Sequence, residues 1–364
     1  GHANAAEGTR RARRSGTSLF TLSDKSGEVE VWRYPADGLG EGEQITTGAD
    51  VLRWSVLPSP DGSWIAHNDK NHKLWVTNLA TKQSTLIEQN MIDQIETFSW
   101  SKDGRWLAYV AAADNGFPVI KLYSTESGGP ARAVTTDRFA SMSPSFSPDG
   151  NWLFFLSDRN LSTLVSSPWG PNQPDPFLDK TTGVFAIALK PGLRWPYLPK
   201  DELESRKPKD EKKEEKKAAE PAPDEPKKAD EKKPEPKKDE PKRTEVVFEG
   251  IAGRLFEVPV PSGNYGSLTA LDKHLYFTAR ETGRGTPTNL VSFPITNESP
   301  EIKVVAEGIA GYQVSQDGKK LLLRRGDAYF VVDAGPGRAD LDKKGVDLSG
   351  WRLSLDPKLE FRQM

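Results

Sequence analysis

"FSWSKDGRWLAYV", residues 98–110, sets a short polar turn between two runs rich in aromatic and β-branched residues. Asp-Gly at the tip supplies the positive φ values that a tight hairpin needs, and the flanking side chains suit a pleated, buried surface. The phrase recurs: "SPDG" stands at residues 59–62 and 147–150, "SKDG" at 101–104 and "SQDG" at 315–318, with degenerate copies in "RSGTSLFTLSD" from Arg14 and "LDKHLYFTA" from Leu271. Gly62, Gly104 and Gly150 are 42 and 46 residues apart, the period of a four-stranded propeller blade.

The match extends beyond the turn. Trp64, Trp106 and Trp152 each stand two residues after the turn glycine. Between turns run segments such as "SWIAH", "KLWVTNL" and "STLIE", or "HLYFTAR", "TNLVSFPI" and "IKVVAEG", bounded by Gly, Pro, Asp or Asn. Helical periodicity is nearly absent. A four-stranded sheet with two apolar faces cannot cover both by itself, so it must stack against its copies in a ring. The fold expected is an all-β propeller of four-stranded antiparallel blades over residues 1–356. Seven blades are expected and six are the alternative. The seventh would be built from "GVFAIALK" (183–190) and "VVFEGIAGRLFEVPV" (246–260).

One segment breaks the pattern. Residues 200–243 are nearly all Lys, Glu, Asp, Pro and Ala, with opposite charges close to balance. Such a stretch lacks apolar side chains to offset the entropy of ordering and reads as a disordered insertion carried by a surface connection. After the last blade, "VDLSGWRLSLDPKLEFRQM" suggests an extended connection and, at 357–364, the start of a following domain with Pro357 in a first helical turn. The reading is of a piece of a longer polypeptide.

Composition excludes several classes. The 364 residues carry a formal net charge of -2, which gives no general attraction to nucleic acid or to an anionic membrane. No apolar run is long enough to span a bilayer. The absence of cysteine removes disulfides, thiolate metal sites and a cysteine nucleophile. Neither a G-x-S-x-G elbow, an H-E-x-x-H helix, a phosphate-binding loop nor a G-x-G-x-x-G turn is present. No catalytic residue, metal site or cofactor is expected in this chain. "SDKSGEVE" (23–30) and "AADNGFP" (112–118) lack the ligand spacing of a calcium loop and read as hairpin turns. His67 and His72, in "IAHNDKNHKLW", read as solvated positions in or beside the second blade's outer hairpin.

The candidate binding residues follow from the repeat register. "TRRARRSG" (9–16) falls on the innermost strand of the first blade, where Arg10, Arg11, Arg13 and Arg14 would offer guanidinium groups to peptide carboxylates; a solvated arm is the alternative. Arg53, Thr97 and Ser143 fall on innermost strands of later blades and would line the central channel. The three repeated tryptophans read as packing residues.

"WSKDGRWLAYV" and "SFSPDGNWLFFLSDRN" resemble the repeats of tricorn proteases and of the Tol-Pal translocation propeller. "DPFLDKTTGVFAIAL", the charged insertion, "VVFEGIAGRLFEVPVPSGNYGSL" and the C-terminal "VDLSGWRLSLDPKLEFRQM" follow the order seen in the second, seven-bladed propeller of bacterial tricorn-like serine peptidases. The resemblance covers essentially the whole chain. It departs at Ala12, which is flanked by arginines where an aromatic usually precedes the first turn. The resemblance implies a non-catalytic sieve and conduit that passes peptides or unfolded polypeptide to a catalytic site in downstream domains of the same chain. It also implies a homo-oligomeric parent and a cytoplasmic setting, with a periplasmic or secreted one as the alternative. A stand-alone protein-binding propeller is the rival reading. A prolyl-oligopeptidase-like enzyme is a third, and it would need a G-x-S-x-G domain downstream.

Overall fold

The turn that repeats in the sequence repeats as one geometry. The hydroxyls of Ser59, Ser101, Ser147 and Ser315 accept the backbone N–H groups of Trp64, Trp106, Trp152 and Lys320 at 2.9, 3.0, 2.9 and 2.9 Å. Each serine carbonyl accepts the N–H of its turn glycine. Gly62, Gly104, Gly150 and Gly318 have φ of 77°, 70°, 71° and 71°, while none of the four aspartates has a positive φ. The expectation that both Asp and Gly supply positive φ is therefore corrected. Only the glycine turns left-handed, and at Asp103, Asp149 and Asp317 the carboxylate accepts the serine hydroxyl.

The structure is a computed structural model that describes residues 12–160, 178–199, 242–342 and 344–350. Blade 1 comprises β1 (Ala12–Ser15), β2 (Ser18–Ser23), β3 (Glu30–Pro35) and β4 (Glu43–Gln44). Blade 2 comprises β5 (Arg53–Pro58), β6 (Trp64–Asp69), β7 (Lys73–Asn78) and β8 (Ser84–Gln89); blade 3 has β9 (Phe98–Trp100), β10 (Trp106–Ala112), β11 (Pro118–Ser124) and β12 (Arg132–Ala133). Blade 4 has β13 (Ser141–Phe146), β14 (Trp152–Asp158), β15 (Thr182–Ala188) and β16 (Leu255–Glu257), and blade 5 has β17 (Asn264–Ala270), β18 (His274–Arg280), β19 (Thr288–Pro294) and β20 (Lys303–Ala306). Blade 6 is β21 (Gly311–Val314), β22 (Lys320–Arg325) and β23 (Ala328–Asp333). Gly345 bridges to Phe330 as the rudiment of its fourth strand. Every pairing between neighbouring strands is antiparallel, and each sheet draws its strands from one continuous order along the chain.

The described residues thus form an all-β propeller of six sheets, which corrects the expectation of seven. The two stretches assigned to a seventh blade both belong to blade 4. "GVFAIALK" supplies β15, and "RLFEV" supplies β16, paired through Phe185↔Glu257, Ala186↔Phe256 and Ile187↔Leu255. The long connection separates the third and fourth strands of one sheet, not two sheets. Most of the charged segment, like residues 161–177, Arg10, Arg11 and the segment 351–364 with its expected helix, lies outside the described residues.

Five apolar clusters lie between consecutive blades. Phe20, Val31 and Ile45 meet Val56 and Ile65 between blades 1 and 2; Ala66, Leu74 and Val76 meet Leu107 and Tyr109 between blades 2 and 3. Ile120 and Leu122 meet Phe155 and Ile187, Phe154 and Val184 meet Leu275 and Phe277, and Tyr276 and Leu290 meet Leu321 and Leu323. Trp64, Trp106 and Trp152 open the second strands of their blades, and each packs in the cluster shared with the following blade. Trp152 is the most enclosed, with Trp195 and Phe256 edge-on to it at 5.0 and 5.6 Å. Such aromatic pairs contribute about 0.5–1.5 kcal/mol each beyond the area they bury.

The two described ends of the long connection of blade 4 lie over different neighbours. On the way out, Trp195 stacks on Phe256 and Tyr197 stacks on Phe293 of blade 5. On the way back, the Thr244 N–H donates to Asp103 at 2.6 Å and its carbonyl accepts Trp106 Nε1 at 3.1 Å, both in blade 3.

Candidate functional site

The first strand of every blade is an edge strand, and these edges converge: β1 touches β5, β9 touches β13, and β13 touches β17. They surround the axis of the ring, where a ligand threading the propeller would meet backbone edges. Three of them are bulged. Register shifts fall between Arg53 and Ser55, between Met142 and Ser145, and between Gly266 and Thr269. A bulge twists an edge away from further pairing, so these strands resist capture of a passing backbone as an extra strand. Ser143 and Ser267 occupy the same bulge position in adjacent blades with φ of 52° and 49°. A left-handed serine costs of order 1–3 kcal/mol, supplied by the surrounding sheet. Ser267 was not legible in the sequence, since its only mark is a small residue at the right distance before a degenerate turn.

The residues singled out by register fall as follows. Arg13 and Arg14 are on β1; Arg13 is half-buried opposite Phe20, while Arg14 is exposed and its Nε donates to the Gly16 carbonyl at 3.0 Å. Thr97 is exposed just before β9, and Ser143 is half-buried on β13. Arg53 starts β5, but its side chain turns into the interface between blades 1 and 2. There one terminal nitrogen donates to Glu30 Oε2 at 3.1 Å and the other lies 3.1 Å from His67 Nδ1. Of these residues Arg53 meets two partners, Glu30 and His67, that the repeat register does not connect to it.

That buried group is an extended polar network between blades 1 and 2. The Glu30 carboxylate also accepts the Thr46 hydroxyl and, at 2.7 Å, the Ala49 N–H. The Arg53 guanidinium is always a donor, so His67 Nδ1 is the acceptor. His67 Nε2 then carries the proton and donates to Thr77 Oγ1 at 2.9 Å, and Thr77 is 2.7 Å from Ser84 Oγ. Burial first, and the Arg53 charge second, hold the His67 pKa well below the usual imidazole range. The reading of His67 as a solvated loop position is corrected: it is fully buried on β6, a strand enclosed on both faces. His72 does sit in the turn, with φ of 59°. Among the described residues no group of acidic or histidine side chains is arranged to hold a metal ion.

The comparisons with known proteins point to a propeller family. A family model described as the tricorn protease second beta propeller domain matches residues 9–335, and the chain belongs to that family. A tricorn protease homolog of Saccharolobus solfataricus is 25% identical over 332 residues, covering 85% of this chain and 26% of its own length. Tricorn protease homolog 1 of Streptomyces coelicolor is 27% identical over 364 residues, covering 94% of this chain and 31% of its own. The crystal structure of the tricorn protease shares the fold, with a TM-score of 0.69 at 18% identity over 93% of this chain and 31% of that one. The chain thus spans between a quarter and a third of the length of these relatives.

Proposed function

We propose that this propeller is the non-catalytic entry domain of a tricorn-like serine peptidase, passing unfolded peptides along its axis to an active site built by other parts of the polypeptide. The observation that carries the reading is the family match over residues 9–335, in relatives of which this region is less than a third. The axis supports it physically. Bulged edges at Ser143 and Ser267 and small polar side chains such as Thr97 and Ser99 offer a passing chain little to bind tightly, as a conduit requires. Arg14, exposed on the first strand, would offer its guanidinium to carboxylates of a passing peptide. Selection would then be by width and charge. In this reading the parent is a homo-oligomeric, cytoplasmic peptidase.

The test is equilibrium binding of fluorescent, unstructured peptides to the full chain. Weak binding that tolerates sequence changes, is lost for peptides carrying a folded domain at each end, and drops several-fold in Thr97→Trp, is expected. Tight binding of one sequence, or binding indifferent to Thr97→Trp, would favour a docking module instead. Hydrolysis by the purified chain, blocked by a serine-reactive fluorophosphonate, would overturn the non-catalytic assignment.

A further inference from the structure

The face of the ring that carries the S-x-D-G turns already has one peptide segment seated on it. Residues 244–248 belong to the arm returning to blade 4, and their side chains alternate as in an extended strand: Thr244, Val246 and Phe248 turn inward, Glu245 and Val247 outward. Thr244 lies against Gly150, its N–H donating to Asp103 and its carbonyl accepting Trp106 Nε1. The Val247 N–H donates to the Leu189 carbonyl at 2.8 Å. Val246 and Phe248 pack on the cluster that holds Leu122, and Phe248 also meets Trp106 and, at 4.0 Å, the Arg132 guanidinium. The seam between blades 3 and 4 thus holds this segment as it would hold an extended ligand.

The floor of that seat recurs in blade 2. The Leu79 N–H donates to the Ser63 carbonyl as the Leu189 N–H does to that of Asn151, and Trp64 pairs with Asn78 as Trp152 pairs with Ala188. Gly62, Ser63, Asn78, Leu79 and Ala80 therefore correspond to Gly150, Asn151, Ala188, Leu189 and Lys190. With Arg33 of blade 1 they line a cleft of about 320 Å³. The wall supplied by the preceding blade has changed its chemistry. The Ala36 N–H donates to the Thr17 carbonyl as the Thr125 N–H does to that of Arg105, which sets Ser18 in the place of Trp106, Arg33 in that of Leu122 and Glu43 in that of Arg132. Arg33 Nε donates to Glu43 Oε2 at 2.9 Å, and Lys82 reaches across the seam to Glu43 Oε1 at 2.7 Å and to the Gln44 carbonyl at 3.1 Å. Two cations surround one carboxylate where blade 3 is apolar.

We propose that the cleft between blades 1 and 2 is a docking groove for an extended, acidic segment of a partner polypeptide, seated as residues 244–248 are seated within the chain. One backbone N–H of the segment meets the Leu79 carbonyl, a small residue lies over Gly62, and a side-chain carboxylate takes Arg33 where the arm has apolar contact with Leu122. The surplus positive charge at this rim selects a carboxylate over an ammonium group. The groove is lined by a turn and by third strands, not by the first strands around the axis, so it does not rest on the conduit reading.

The experiment uses the full chain and fluorescent peptides of the arm's own sequence, residues 243–249, one carrying Phe248→Glu and one Phe248→Lys. Anisotropy titrations at low ionic strength are expected to show the Glu peptide binding several-fold more tightly than the Lys peptide, with the difference shrinking as salt is added. Ala80→Trp, which fills the cleft, and the milder Arg33→Gln should each weaken the Glu peptide several-fold in chains that melt like the parent, and Thr97→Trp at the axis should leave it unchanged. A benzophenone in place of Val247 of the peptide should crosslink within residues 62–80. No binding of the Glu peptide at millimolar concentration, preference for the Lys peptide, or binding that survives both cleft substitutions overturns the proposal. So does binding lost only in Thr97→Trp, which would put the peptide on the axis. Self-association of the chain that Ala80→Trp abolishes would make a second copy the occupant and overturn it as well. Binding in the cleft by a chain whose axis admits no peptide would sink the conduit reading and leave the groove standing.

Discussion

Arg53 and Glu30 face each other at 3.1 Å across the first two blades, with side chains 10% and 3% exposed. The pair is supported by His67 on one terminal nitrogen of the guanidinium and by the Thr46 hydroxyl and the Ala49 N–H on the carboxylate, while the buried Arg53 Nε has no hydrogen-bond partner among the described residues. Breaking one partner leaves a buried charge without compensation, at a cost of about 3–5 kcal/mol. Arg53→Met is expected to lower the stability of the chain by that amount in urea denaturation, and Arg53→Met combined with Glu30→Gln is expected to recover part of it.

Acid should reach this interface through His67. Its pKa is held well below 6.5 in the fold, so the folded chain keeps it neutral while the unfolded chain takes up a proton below about pH 6.5. The unfolded state then binds more protons, and stability is full above that pH and falls as pH drops through it toward the folded pKa. The slope is about 1.4 kcal/mol per pH unit for each such group. His274 is shifted the same way, by burial and then by Lys273 and Lys303. The lowered carboxylates, such as Glu43 beside Lys82 and Arg33, act only in more acidic solution. Denaturation midpoints measured between pH 7 and 5 should decline, and His67→Gln should show a shallower decline than the parent.

Trp152 is the wedge between blades 4 and 5. Truncating it removes its stack of aromatic neighbours and leaves a cavity that Trp195 and Phe256 cannot fill together. Trp152→Ala should cost about 3–5 kcal/mol. Lys320→Ala, at the equivalent position of blade 6, should fall within about 0.5 kcal/mol of the parent, because its ion pair with Asp333 is exposed. Parallel thermal melts decide this.

Gly150 and Gly116 have φ of 71° and 83°, but a Cβ on Gly150 would lie 3.2 Å from Thr244 Cα and 2.7 Å from its Oγ1, whereas one on Gly116 meets nothing. Gly116→Ala should show only the left-handed penalty of about 1–2 kcal/mol. Gly150→Ala should cost more and should also loosen the returning arm at Thr244, visible as faster cleavage by trypsin at Arg243.

The turns, the tryptophan register and the stacking of sheets were legible because each is written in neighbouring residues and repeated. Blade 4 was not, because its last strand is three residues long and stands beyond the insertion; nothing local marks Leu255–Glu257 as the partner of β15. Arg53 and His67 misled for a related reason. A register places a residue on a strand, but whether its side chain turns to the axis or to a neighbouring blade is fixed by a partner such as Glu30, distant in sequence and ordinary in type. The bulge at Ser143 is likewise a property of the pairing, not of the serine.

The continuity of each sheet bears on synthesis at the ribosome. Blades 1 to 3 can be completed in turn as their hairpins emerge, each ready to receive the next. Blade 4 cannot: its exposed β15 must wait for β16 until the whole charged stretch has been translated, a pause of several seconds at roughly 5–20 residues per second. During that interval an apolar edge stands unpaired, and a tract that is polar and proline-rich is the cargo least apt to adhere to it.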